Sequence, residues 1–284
     1  MTCTLIDGKK LAAALQKQIA AEVSALHATT GTTPGLCILS VGDDAPSRVY
    51  IRNKVRACAA VGIRAIEVHK ETATTEGVVA LLRELNGDES VNGIIVQLPL
   101  PPSIDAQAVL DAIAHHKDVD GLHPSSFGRL AAGNEEAVPC TPKGIVYMLE
   151  QEQIPIAGRH AVIVGRSKLV GRPLAYMLLN RHATVTVCHT KTEDLAYYTR
   201  QADILVAAAG SPGLITGSMV KKGAAVIDVG IHVSGGSVSG DVEQHSVKEK
   251  AAYLTPVPGG VGPMTVAMLL KNTVEAFKKQ QKQK

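Results

Sequence analysis

The chain has 284 residues, 45% of them apolar, with a mean hydropathy of +0.12 and a formal charge of +3. That length suits one large domain or two ordinary ones. The charge is too mild, and the aromatics too few (two Phe, no Trp), for a nucleic-acid-binding face. No apolar run approaches the roughly 18 residues of a membrane span, and the start, Met1-Thr-Cys-Thr-Leu-Ile-Asp-Gly8, lacks the basic and long apolar regions of a secretory signal. Cys3, Cys37, Cys58, Cys140 and Cys188 are odd in number and form no C-x-x-C pair, as expected of reduced, mostly buried thiols in a cytoplasmic protein. The one basic cluster, Lys278 to Lys284, reads as a solvated end.

In chain order, residues 8–29 carry Leu11, Leu15, Ile19 and Val23 on one stripe and predict an amphipathic helix. Pro34 to Gly42 reads as a strand, and Asp43-Asp-Ala-Pro-Ser47 as a turn rich in helix-capping side chains. A helix then runs to about Val61, with Gly62 placed to cap it. A strand at 65–68, a helix at 74–86, a strand at 93–98 and a helix at about 105–115 follow. This half is an α/β unit without a phosphate loop. Residues 117–141 read as the connection to a second half.

That second half opens on His160-Ala-Val-Ile-Val-Gly-Arg-Ser-Lys-Leu-Val-Gly-Arg-Pro173. Ala161–Val164 predicts a strand buried on both faces, Gly165 a sharp turn, and Leu174–Leu179 a helix with Pro173 in its first turn. Strand, glycine turn and helix open a dinucleotide-binding unit, although the middle glycine of G-x-G-x-x-G is missing and a plain structural βα turn is the competing reading. Strands at 184–188, 203–208 and 224–228 continue the repeated βα pattern. The first of these strands ends Cys188-His-Thr-Lys191 with no acid to hold a ribose 2′-hydroxyl, so Arg166 with Thr190 or Lys191 points to the 2′-phosphate of NADP. A solvated basic loop is the alternative. The whole predicts two α/β domains, the C-terminal one Rossmann-like, with a cleft between them.

In the first half, Tyr50 and Lys54 stand four apart on one helix. That helix begins at the carboxyl end of a strand, where open α/β sheets bind ligands. Gln97 leaves the 93–98 strand at the same edge. Lys117-Asp-Val-Asp-Gly121 adds two carboxylates, of which Asp120 suits an acceptor for an N–H-rich heterocycle. His115, His116, Asp118, Asp120 and His123 lack zinc-ligand spacing, and no metal is expected there.

Seven stretches resemble the bifunctional 5,10-methylenetetrahydrofolate dehydrogenase/5,10-methenyltetrahydrofolate cyclohydrolase family, the FolD type, over nearly the whole chain. They are Tyr50-x-x-x-Lys54, Gly93 to Pro101, Lys117 to Gly121, Pro139 to Gly144, Val164 to Pro173, Val226 to Ile231 and Thr255-Pro-Val-Pro-Gly-Gly-Val-Gly-Pro-Met-Thr265. Thr190 stands where many relatives have Ser; both carry a hydroxyl. The formate-ligase domain of trifunctional relatives is not in the chain. The resemblance implies NADP-dependent oxidation of 5,10-methylenetetrahydrofolate, then hydrolysis of the methenyl product to 10-formyltetrahydrofolate. It implies a folate-binding catalytic domain over 1–139, completed by a C-terminal helix at 263–284, and a cofactor domain over 140–262. Lys54, Gln97, Tyr50 and Asp120 would be catalytic, on one wall of the cleft. Val96, Leu98 and the backbone of Pro258, Gly259, Gly260, Val261 and Gly262 would meet substrate. Gly165, Arg166, Ser167, Thr190 and Ile231 would bind NADP. Lys54 beside a cationic substrate in a partly closed cleft should have a lowered pKa. The family is commonly a homodimer joined through the cofactor domain.

A shikimate-type or amino-acid NADP dehydrogenase would use Lys54 and an Asp, but gives Tyr50, Gln97 and the 255–265 stretch no task. A nucleotide-sensing module would require neither Lys54 nor Gln97.

Overall fold

The computed structural model describes residues 2–282, so Met1 and the last two residues of the basic tail lie outside the described residues, as do the side chains of Ala45 and Pro46. In chain order the elements are β1 (Thr4–Leu5), α1 (Gly8–Thr30), β2 (Gly35–Val41), α2 (Ala45–Val61), β3 (Arg64–Lys70), α3 (Thr75–Gly87) and β4 (Gly93–Val96). There follow α4 (Ala106–Asp111), α5 (Pro124–Ala131), α6 (Cys140–Gln151), β5 (His160–Val164), α7 (Gly171–Leu179), β6 (Thr184–Cys188), α8 (Leu195–Thr199) and β7 (Ile204–Ala207). The chain ends with β8 (Ala225–Asp228), β9 (His232–Ser234), β10 (Ser237–Ser239), α9 (Gln244–Lys248), β11 (Tyr253–Leu254) and α10 (Val261–Gln281). By contacts it divides into two compact units. One takes the residues up to Ala12, Leu130–Glu135 and Pro139–Thr265; the other takes Ala13–Arg129, Glu136–Val138 and the described residues from Val266 onward.

The first unit is built on a six-stranded parallel sheet of order β1-β11-β8-β7-β5-β6. From β5 the chain goes to β6 on one side and then to β7 on the other, so the order reverses between β5 and β7. The residues of β7 and β8 are buried throughout, and β5 is buried from Ala161 onward. That explains why they read as unbroken apolar runs rather than alternating ones. Val162, Val164, Leu205, Ala207, Val226 and Leu254 form the centre of its core. The edge strand β1 has two exposed residues, Thr4 and Leu5, paired with Tyr253 and Leu254. β9 and β10 form a separate antiparallel hairpin.

The second unit holds a three-stranded parallel sheet, β3-β2-β4, with β2 wholly buried at its centre. Leu15, Ile19 and Val23 of α1 are buried as their spacing predicts. The helix expected at 105–115 is shorter: α4 stops at Asp111 and a 3-10 turn follows at His115–Lys117. The side chain of Asn86 causes the break. Its Nδ2 donates to the Ala112 carbonyl and its Oδ1 accepts from the Ala114 N–H, which takes both groups out of the helical ladder. The stretch read as a connection, 117–141, contains α5 and the first residues of α6. Further along, Asn272 of α10 donates to the carbonyls of Val119 and Val138 and anchors that helix to the loop.

Candidate active site

The substrate half is set by α2. Asp44 caps its start, accepting from the Ser47 N–H at 2.8 Å, and Gly62 ends it at φ +78°. The helix therefore begins at the carboxyl end of β2 and carries Tyr50 and Lys54 on successive turns. Lys54 Nζ donates to Gln97 Oε1 at 2.9 Å. Gln97 Nε2 donates to the Leu98 carbonyl at 2.8 Å, which leaves the amide oxygen to face the ammonium. Tyr50 is 49% exposed, so its ring is open to a flat ligand. Cys58, one turn beyond Lys54, is buried, and burial pushes its thiol up to about 12, which rules it out as a thiolate nucleophile at neutral pH.

Gln97 also lines a cavity of about 530 Å³ together with Ser40, Ser47, Arg52 and His69. The sequence reading missed these. Ser47 had a signal, lying seven residues before Lys54 and so on its face of the helix. Ser40 and His69, hydrogen-bonded at 3.1 Å, come from neighbouring strands and had none.

The structure sorts the Lys117–Gly121 loop by task. Lys117 is only 4% exposed and donates to the carbonyls of Leu85 and Asp88, closing the end of α3. Asp118, also 4% exposed, accepts from the N–H groups of Leu122 and His123 and from the Ser126 hydroxyl, and so fixes the loop. Asp118 makes an isolated parallel bridge with Ile94 of β4, and Asp120, two residues on, is half-buried. Among the described residues, no three His, Cys, Asp or Glu side chains are grouped to hold a metal.

In the other unit, Gly165 follows β5 at φ +130°. A Cβ there would strike the carbonyl of Ala208, and one on Gly171 would strike the carbonyl of Gly165, so both positions require glycine for backbone to pass backbone. The Gly165 N–H donates to the Cys188 carbonyl at 2.9 Å, and the Ala208 N–H to the Val164 carbonyl at 2.8 Å. Ser167 Oγ accepts from the Val170 N–H at 3.1 Å and helps start α7. Arg166 and Thr190 are exposed beside this turn, at the ends of neighbouring strands. Ile231, 49% exposed, lines a second cavity of about 180 Å³ with Lys9 and Pro258–Gly262. Gly260 is needed by the fold itself, because a Cβ there would meet the Pro256 carbonyl at 2.6 Å. At Gly262 a Cβ would find only Ile231 Cδ1, at 3.6 Å, so packing within the chain gives that glycine no reason.

Asp228 also lines this cavity, 1% exposed, with its pKa raised to about 6, chiefly by burial. A carboxyl that binds its proton more tightly when folded stabilises the protein at low pH, and that contribution disappears as pH rises through about 6. Between pH 7 and pH 5 it should add about 1 kcal/mol. Chemical denaturation at both pH values should show that difference in the native protein and its loss in Asp228→Asn. An equal pH response in both would mean that Asp228 does not titrate as its burial requires.

A glycine turn at the reversal point of a doubly wound parallel sheet, opening onto a helix N-terminus, defines a dinucleotide-binding domain. It is accompanied by an α/β unit in which a lysine and a glutamine amide are paired at a sheet edge. Residues 139–281 match the tetrahydrofolate dehydrogenase/cyclohydrolase NAD(P)-binding domain, and residues 6–120 match the catalytic domain of the same enzymes. The chain belongs to the tetrahydrofolate dehydrogenase/cyclohydrolase family. It is 53% identical to the bifunctional protein FolD of Moorella thermoacetica over 282 residues, covering 98% of this chain and 100% of that one. The crystal structure of the Campylobacter jejuni bifunctional FolD superposes with a TM-score of 0.96 at 46% identity, over 98% of this chain and 99% of that one. The Trypanosoma brucei enzyme, solved with NADP and an inhibitor, gives 0.95 at 41% identity, over 99% of each chain.

Proposed function

We propose that this protein oxidises 5,10-methylenetetrahydrofolate with NADP and hydrolyses the resulting methenyl cation to 10-formyltetrahydrofolate. The observation that carries the second step is the 2.9 Å hydrogen bond from Lys54 to Gln97. NADP fits at the Gly165 turn, next to the N-terminus of α7, with the exposed Arg166 and Thr190 to receive a 2′-phosphate. When bound, it supplies the hydride acceptor.

The methylene carbon becomes a delocalised cation on losing hydride, so the first step chiefly needs the reactants held in place. The second step moves protons. Water adds to the methenyl carbon and must lose a proton, and the C–N5 bond breaks as N5 gains one. Lys54 is the group to carry them. Gln97 cannot titrate; its oxygen fixes the direction of the ammonium. Tyr50 offers its ring to the aminobenzoyl group, and Asp120 accepts from the pterin N–H groups. Ser167 and Ile231 complete the proposed cofactor contacts. Val96, Leu98 and Pro258–Gly262, with Val261 among them, are proposed substrate contacts on the family resemblance.

The test is to incubate the protein with NADP and 5,10-methylenetetrahydrofolate and to follow NADPH and methenyl absorbance separately. Failure of either signal removes that half of the reading. Arg166→Ala should lower the ratio of kcat/KM for NADP to that for NAD about 10- to 100-fold, the worth of one lost charge-assisted contact. An unchanged ratio would show that Arg166 does not clamp the phosphate.

We further propose a homodimer joined through the cofactor unit, whose β9–β10 hairpin leaves Val233 74% and Val238 37% exposed. Light scattering should then give twice the 29.8 kDa chain mass; a monomer at micromolar concentration sinks the idea.

A further inference from the structure

Asp241 is fully buried, at 0% exposure, and has no part in the chemistry above. Its Oδ2 accepts from the backbone N–H groups of Ala209 (2.6 Å) and Gly210 (2.9 Å), and its Oδ1 accepts from the Ser211 N–H (2.9 Å). His232 Nε2 lies 2.8 Å from the same Oδ1. Three consecutive N–H groups thus converge on one carboxylate. They belong to the loop that leaves β7.

That loop lies at the reversal point of the sheet. β7 is the neighbour of β5, and the Ala208 carbonyl is the group that any side chain at position 165 would strike. The Gly165 turn and the start of the 208–211 loop therefore meet at the strand ends where a doubly wound sheet takes its ligand in a crevice. The loop sequence Ala208-Ala-Gly-Ser-Pro-Gly213 has little side chain with which to hold a shape, and Gly210 and Gly213 have φ of +68° and +62°. Asp241 supplies the missing anchor. It is itself held, since the Asp241 N–H donates to Asp228 Oδ1 at 2.8 Å and the Val242 N–H donates to Asp228 Oδ2 at 3.1 Å. Gly230 and Gly240 leave room for this, because a Cβ on either would strike the carboxylate of Asp241 or Asp228.

We infer that Asp241 is a positioning residue for the dinucleotide, fixing the loop after β7 as one wall of the crevice at Gly165. It acts on the cofactor through the 208–211 backbone and touches neither reactant. The inference rests on the reading that this crevice holds NADP, so NADP is first titrated against the native protein by calorimetry. No binding there would remove that reading and the inference with it. Given binding, Asp241→Asn is expected to raise the NADP Kd about tenfold or more, as the clasp keeps one good acceptor instead of two. Cyclohydrolase turnover of methenyltetrahydrofolate, assayed without cofactor, should keep its kcat and KM, and exchange of the 209–211 amides should quicken. A folded variant that keeps its NADP affinity, or that loses cyclohydrolase in the same proportion, overturns the inference. Should Asp241→Asn fail to fold, His232→Ala decides. It removes one partner of the carboxylate and should raise the NADP Kd about threefold with faster 209–211 exchange; an unchanged Kd overturns the inference.

Discussion

Replacing Lys54 with Met is expected to cut hydrolysis of methenyltetrahydrofolate about 100- to 10,000-fold, the usual contribution of an acid–base group. Methionine keeps most of the length and apolar volume of the lysine stem and removes only the titrating group. Hydride transfer needs no such group, so any dehydrogenase activity left should deliver methenyl product that accumulates instead of turning over. Some loss of dehydrogenation is compatible with this, because Lys54 also shapes the pocket. Gln97→Ala should act in the same direction with smaller effect. The ammonium would lose the oxygen that it meets at 2.9 Å and sample more rotamers. With cofactor saturating, NADPH and methenyl absorbance are followed separately in each variant. Hydrolysis at the native rate in Lys54→Met would mean that another base works, and Asp120, His116 and His123 are the titratable groups to test next.

Gly165→Ala should be the costliest single methyl group in the cofactor unit. Residue 165 sits at φ +130°, where an L side chain is strained by about 1–3 kcal/mol. The new Cβ would also be driven into the Ala208 carbonyl, and overpacking of that kind typically costs another 1–3 kcal/mol. Neither wall yields easily, since the Gly165 N–H is held by the Cys188 carbonyl and the Ala208 N–H by the Val164 carbonyl. The sum, about 2–6 kcal/mol, corresponds to a fall in Tm of roughly 4–24 °C for a unit of this size. NADP affinity should fall as well, because the relieved turn moves away from α7. A thermal melt and an NADP titration measure the two effects. Native values for both would show that the turn is not the tight passage described.

The sequence by itself determined what local pattern can encode. Buried parallel strands appear as unbroken apolar runs such as Val162-Ile-Val164, and α1 as the stripe Leu15, Ile19, Val23. Gly62 and Asp44 mark the ends of α2 because capping depends on residues a few places apart. The glycine turn at 165 and the Tyr50–Lys54 spacing were legible for the same reason, and the motifs together identified the family. Only the tertiary structure decided what depends on partners far apart in the chain. Thr4–Leu5 becomes a strand solely because Tyr253–Leu254 lies beside it. The sequence showed two carboxylates in Lys117–Gly121 but not that Asp118 is consumed by the loop, nor that Lys117 closes α3 through Leu85 and Asp88, some thirty residues earlier. Asp241 gave no signal, and Asp228 showed only as a member of the Val226–Ile231 stretch, with no task of its own. Each is an isolated acid in sequence, and each acquires its role only when folding buries it among backbone N–H groups that no local pattern names and that cannot be left unpaired.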